Sequence, residues 1–123
     1  MKNLVIIIML LAPVALTGCY RDNEADLYPE NGSCETTGVT YAATVVPILQ
    51  SNGCISCHSG GAPSGNISLE GYANVRAIAA SGKLFGSISH SGGFAPMPQG
   101  GNKMSNCNIT KIKAWIDSGS INN

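Results

Sequence analysis

Charge is scarce in this sequence. Asp, Glu, Lys and Arg make up 11% of its 123 residues, seven acidic against seven basic, so nothing in the charge balance implies nucleic acid or another polyanion as partner. Aromatic residues are few: four Tyr, two Phe and one Trp, which with 15 Gly predict a small protein with a thin core. The longest apolar run, Leu4 to Leu16, has 13 residues and is too short to span a bilayer comfortably. No internal repeat is visible, and no β-branched run ahead of residue 54 suggests a strand. No grouping of acid, base and nucleophile suggests bond-breaking catalysis. Histidine is rarest among the residues that carry chemistry, with only His58 and His90.

One of those two histidines closes the pentapeptide Cys54, Ile55, Ser56, Cys57, His58. This CxxCH pattern is the one by which a polypeptide captures haem covalently. Two thioether bonds fix the porphyrin edge while the adjacent imidazole binds iron from one face, so the porphyrin's dimensions set the spacing. Chance places such a pentapeptide in a chain of this composition on the order of 0.003 times, so the motif is specific. A thioredoxin-like CxxC would open a helix after a strand, a context the sequence does not offer. A structural zinc site would have to draw on Cys34, Cys107 and His90, which lack the second close ligand pair usual in zinc modules.

The first residues read as an export signal. Lys2 supplies a positive start, the apolar run follows, and Leu16, Thr17, Gly18 and Cys19 have the form of a bacterial lipobox. Residues 1–18 are then a lipoprotein signal peptide, and Cys19 becomes the lipidated first residue of the mature chain. That chain is tethered to a membrane without spanning it, facing the periplasm or the cell surface. Ordinary signal cleavage, leaving Cys19 as a stray thiol, is the duller alternative. Export agrees with covalent haem, which is attached outside the cytoplasm. With Cys19, Cys54 and Cys57 assigned, Cys34 and Cys107 remain as a disulfide candidate in an oxidising compartment, with two buried free thiols as the alternative.

Residues 19–38 are polar and acidic, carrying Asp22, Glu24, Asp26, Glu30 and Glu35, and read as a flexible tether. Residues 39–123 form the single domain, for which an all-α architecture of three to four short helices around the haem is expected. The first helix runs from Tyr41 to about Ser51 with Thr40 as cap, and Pro47 either kinks it or moves its start towards Val45. Asn52 and Gly53 break it and deliver Cys54. Residues 59–66 are a loop by composition. A second helix covers Glu70 to Ala80 with Ser68 as cap and Tyr72, Val75, Ile78 and Ala79 inward, and Lys83 to Ser89 adds a short turn. The last helix starts at Ser105, buries Ile109, Ile112, Trp115 and Ile116, and stops at Gly119. Trp115 is expected to pack against the haem or the first helix.

The second axial position on the iron decides between electron transfer and ligand chemistry. Met97 lies in a stiff loop between Pro96 and Pro98, while His90 and Met104 are other donors, and an open site is a further possibility. The order of an apolar helix ending in CxxCH, a Gly-rich loop, Leu69, Tyr72 and Val75, a Met-Pro loop, and Ile109, Ile112, Lys113, Trp115, Ile116, Asp117 and Gly119 resembles small class I c-type cytochromes. It is most similar to the single-haem cytochrome c domains of bacterial lipoproteins, over about residues 40–121. One departure is Asn108, where a capping-box Glu is common. The resemblance implies thioethers at Cys54 and Cys57, one haem c, His58 and Met97 as axial ligands, and a one-electron carrier serving redox partner proteins. A haem sensor or catalytic subunit with an open distal position is the competing expectation. A domain that docks a larger enzyme has less to stand on, since no cluster of aromatics suggests it.

Overall fold

The computed structural model describes residues 34–123, so the signal peptide, Cys19 and most of the tether lie outside the described residues. Within that span the chain is all-α, and no strand occurs among the described residues.

Thr40 is extended, and its side-chain oxygen accepts a hydrogen bond from the Ala43 N–H at 3.1 Å, capping the first helix as the sequence predicts. The helix does not start as a regular α-helix. Tyr41–Val45 is a π-helical turn that leads into α1, Val46–Ser51. Pro47 gives a physical reason, because its ring would collide with the carbonyl four residues earlier in an α-helix. Widening the preceding turn to i→i+5 bonding, as from Val45 N–H to Thr40 O at 3.1 Å, places Pro47 in the first turn of α1, where it fits.

Gly53 then takes a left-handed conformation (φ 70°) and redirects the chain into α2, the single turn Cys54–Cys57. A 3₁₀ turn, Ser64–Asn66, interrupts the Gly-rich loop. Helix α3 spans Gly71–Ala80, and α4 spans Lys83–Ile88 after the left-handed Gly82. Ser68 does not cap α3: it sits two residues before Glu70, the cap position, and accepts from the Glu70 N–H at 3.2 Å and the Asn74 amide at 3.3 Å. Helix α5, Asn106–Asp117, is capped by Ser105, whose oxygen accepts the Asn108 N–H at 3.2 Å, so Asn108 contributes through its backbone. Gly119 (φ 97°) ends it, with Gly119 N–H bonded to Ile116 O and Ser120 N–H to Trp115 O.

The described chain thus has five α-helical segments where three to four were expected. The surplus arises because the CxxC residues form a turn of their own and Lys83–Ile88 closes as a helix. Val45, Leu49, Val75, Ile112 and Trp115 are the most deeply buried large side chains, each contributing about 1.5–3 kcal/mol through removal from water. Tyr41 packs edge-on to Tyr72 at 5.2 Å and against Trp115 at 5.6 Å, so the tryptophan meets the first helical segment. The last residues stitch three helices together: the Trp115 indole donates to Ile121 O at 2.9 Å, Tyr72 O–H to Ser120 O at 2.8 Å, and Tyr41 N–H to the Asn123 side chain at 2.8 Å.

Cys34 and Cys107 are joined in a disulfide with their Cα atoms 5.5 Å apart, as the cysteine pattern suggested. It pins the segment before Thr40 to the first turn of α5. No described helix is long and apolar enough to cross a membrane.

Candidate cofactor site

A cavity of about 500 Å³, predominantly apolar, is lined by the end of α1, by α2, by Ile78 of α3, by α4, and by the loops at 64–69 and 93–99. Cys54, Cys57, His58 and Met97 all line it. The exposed residues Cys57, Phe94 and Gln99 belong to the same wall, which makes it a cleft with access to solvent.

The helical turn of α2 explains the cysteine pair. Residues three apart on a helix share a face, so both sulfurs belong to one wall of the cleft. Both are free thiols, Cys54 half-buried and Cys57 exposed. Burial pushes the Cys54 thiol above its ordinary pKa, and the nearby Cys57 adds to this in smaller part. The turn carries through to the histidine, whose N–H bonds Cys54 O at 3.0 Å.

His58 is buried and doubly fixed by the extended segment that follows the Gly-rich loop. Its carbonyl accepts the Leu69 N–H at 2.7 Å, and its ring Nδ1 lies 3.0 Å from Ile67 O. A carbonyl only accepts, so Nδ1 carries a proton and donates, and Nε2 is the ring nitrogen left for a metal ion. This is how a protein sets the tautomer and orientation of a metal-binding imidazole. Ile67 supplies this bond through its backbone, and no pattern of side chains announces it.

The three donors weighed for the second axial position separate in space. Met97 is half-buried on the cavity wall. Met104 is 5% exposed within the hydrophobic core and does not line the cavity. His90 is exposed, also absent from the lining, and its ring nitrogen Nε2 lies 3.0 Å from Met97 O. Phe94 lies on α4 so closely that a Cβ at Gly86 would overlap its ring. Lys83, first residue of α4, is the one charged side chain in the cavity wall among the described residues, a placement no sequence pattern announced.

The zinc alternative fails on its donors. Cys34 and Cys107 are spent on each other, and no group of three or more His, Cys, Asp or Glu suited to a metal ion occurs among the described residues. The thioredoxin-like alternative finds no strand before α2 among the described residues.

The residues present fit a haem c. The cleft has the size and apolar character of a cofactor pocket, its cysteines share a helical face, and the ring of its histidine is held through Nδ1 by the Ile67 carbonyl. No protein-family model matches the chain, and neither do curated proteins or solved structures.

Proposed function

We propose that the cleft holds one covalently attached haem c in a cytochrome c-like fold, and that the protein carries single electrons. The observation that carries this reading is the meeting of Cys54, Cys57, His58 and Met97 on the wall of one apolar cavity. Cys54 and Cys57 would hold the thioethers, His58 Nε2 the proximal position and the Met97 thioether the distal one. When bound, the haem supplies a reversible one-electron couple, whose potential a thioether ligand and apolar walls raise. The chain's own part is to orient: the Ile67 carbonyl fixes the His58 ring, and the stiff Pro96–Met97–Pro98 segment carries the sulfur. Lipidation at Cys19 would keep the domain at a bacterial membrane, facing the periplasm or the cell surface, within reach of redox partner proteins.

Co-expression with haem c maturation machinery tests this. The expected product retains haem after denaturation, shows a low-spin spectrum with a thioether-to-iron charge-transfer band, and loses that band in Met97→Ala. A chain that acquires no covalent haem, or loses none in Cys54→Ser with Cys57→Ser, overturns the proposal. Ready binding of carbon monoxide, with a Met97→Ala spectrum identical to that of the parent, would favour the ligand-binding alternative.

A further inference from the structure

His90 is the histidine that the CxxCH motif leaves over, and its surroundings give it a use other than binding iron. Its backbone lies in the left-handed region (φ 56°), which Gly or Asn adopts more readily than His. The ring is exposed and makes one hydrogen bond among the described residues. Because Met97 O can only accept, Nε2 carries the proton and donates at 3.0 Å. On the other side of the same residue, Met97 N–H donates to Ser87 O at 3.0 Å. Pro96 and Pro98 have no N–H, so Met97 is the only residue of the Pro-Met-Pro segment that can be held at both polar groups of its backbone. One anchor lies within α4, at Ser87, and the other two residues past its end, at His90. Ser91 is tied back to α4 and its end, through its N–H to Gly86 O at 2.9 Å and its hydroxyl to that of Ser89 at 2.7 Å, but the exposed Gly92 and Gly93 that follow have no side chain with which to fix the rest of the loop.

We infer that His90 is a positioning residue that clamps the Met97 backbone and thereby holds the thioether at the cavity. The inference rests on the reading of Met97 as the distal ligand. A free carbonyl at Met97 would leave the loop attached to α4 by Ser87 alone at that residue. A competing ligand would then displace the sulfur more easily, without any change in the sulfur itself.

The test uses the haem-loaded protein, with imidazole as the competing ligand and the thioether-to-iron band as the readout. His90→Gly keeps the left-handed backbone accessible and removes only the ring bond. It should tighten apparent imidazole binding to ferric iron by roughly threefold to tenfold, the range expected from losing one neutral hydrogen bond. His90→Gln restores a donor of similar reach and should recover much of the difference. Exchange of the Met97 amide with solvent should quicken several-fold in His90→Gly, while the Ile112 amide in α5 does not change. Unaltered imidazole affinity and unaltered Met97 exchange in His90→Gly would overturn the clamp. Loss of the six-coordinate spectrum in His90→Gly, with Met97→Ala unaffected, would make His90 a ligand and overturn it as well. A Met97→Ala spectrum equal to the parent's, alongside quickened exchange in His90→Gly, would remove Met97 from the iron while leaving the backbone clamp in place.

Discussion

Cys54 and Cys57 are separated by one helical turn and differ in exposure, the first half-buried and the second open to solvent. Since the thiolate is the nucleophile, a thiol whose pKa burial has raised reacts slowly. In haem-free protein with the disulfide intact, iodoacetamide is therefore expected to label Cys57 well before Cys54, a time course that peptide mass mapping follows. Equal rates would mean that Cys54 is not screened in this way. The same shift has a sign for stability. With the folded pKa above the unfolded one, burial of neutral Cys54 favours folding below the unfolded value, and that contribution is lost as pH rises through the folded value. Lys83 makes a second prediction at this scale. A cation on the wall of an otherwise apolar cleft favours the reduced, less positive state of a bound haem. Lys83→Gln should lower the midpoint potential by on the order of 30 mV, a threefold change in the one-electron equilibrium. A potentiometric titration of both proteins checks it, and no change would place the ammonium too far out in solvent to matter.

Among the helices, the junction between α1 and α2 bears most directly on the site, because Gly53 sets the direction in which Cys54, Cys57 and His58 leave the first helix. A Cβ at Gly53 would meet only the Ser56 hydroxyl at an ordinary 3.7 Å, so the obstacle to a side chain there is conformational and not steric. Gly53→Ala should destabilise the protein by about 1–2 kcal/mol through the left-handed backbone, and Gly53→Asn by less. Chemical denaturation measures both, and an Asn variant as unstable as Ala would point to a contact with the new side chain instead. Much of this element was legible in advance, since Thr40, Pro47, Asn52 and Gly53 each have a position-specific chemistry. The π-turn was not, because Pro47 announces a conflict without saying whether the chain kinks, restarts or widens its turn. Ser68 misled for a related reason: a serine before a helical pattern bonds the nearest free N–H, which here belongs to Glu70, ahead of α3. The His58 tautomer and the role of His90 depend on the carbonyls of Ile67 and Met97, which every residue type carries, so spacing alone could not reveal them.

Across the whole molecule, the cysteine pattern was legible because elimination left one pair, and the fold brings Cys34 and Cys107 together over 73 residues of sequence. The same two ends of the domain also meet without covalent help. Tyr41 packs on Trp115, and the Asn123 side chain and carbonyl accept from the N–H groups of Tyr41 and Ala42. The native arrangement therefore does not hang on the bridge, whose main effect falls on the unfolded chain by limiting its freedom. Replacing both residues, Cys34→Ser with Cys107→Ser, should lower stability by about 4 kcal/mol in the entropic account of such a loop. The urea midpoint should fall and the slope should rise, since an unfolded chain without the cross-link exposes more surface. The absorption spectrum of haem-loaded protein should stay that of the parent in the absence of denaturant, because none of the cavity-lining residues is a partner of the disulfide. The opposite outcome, an altered spectrum with an unchanged midpoint, would show that the bridge shapes the cleft, and the noncovalent contacts between the ends of the domain would then be its consequence.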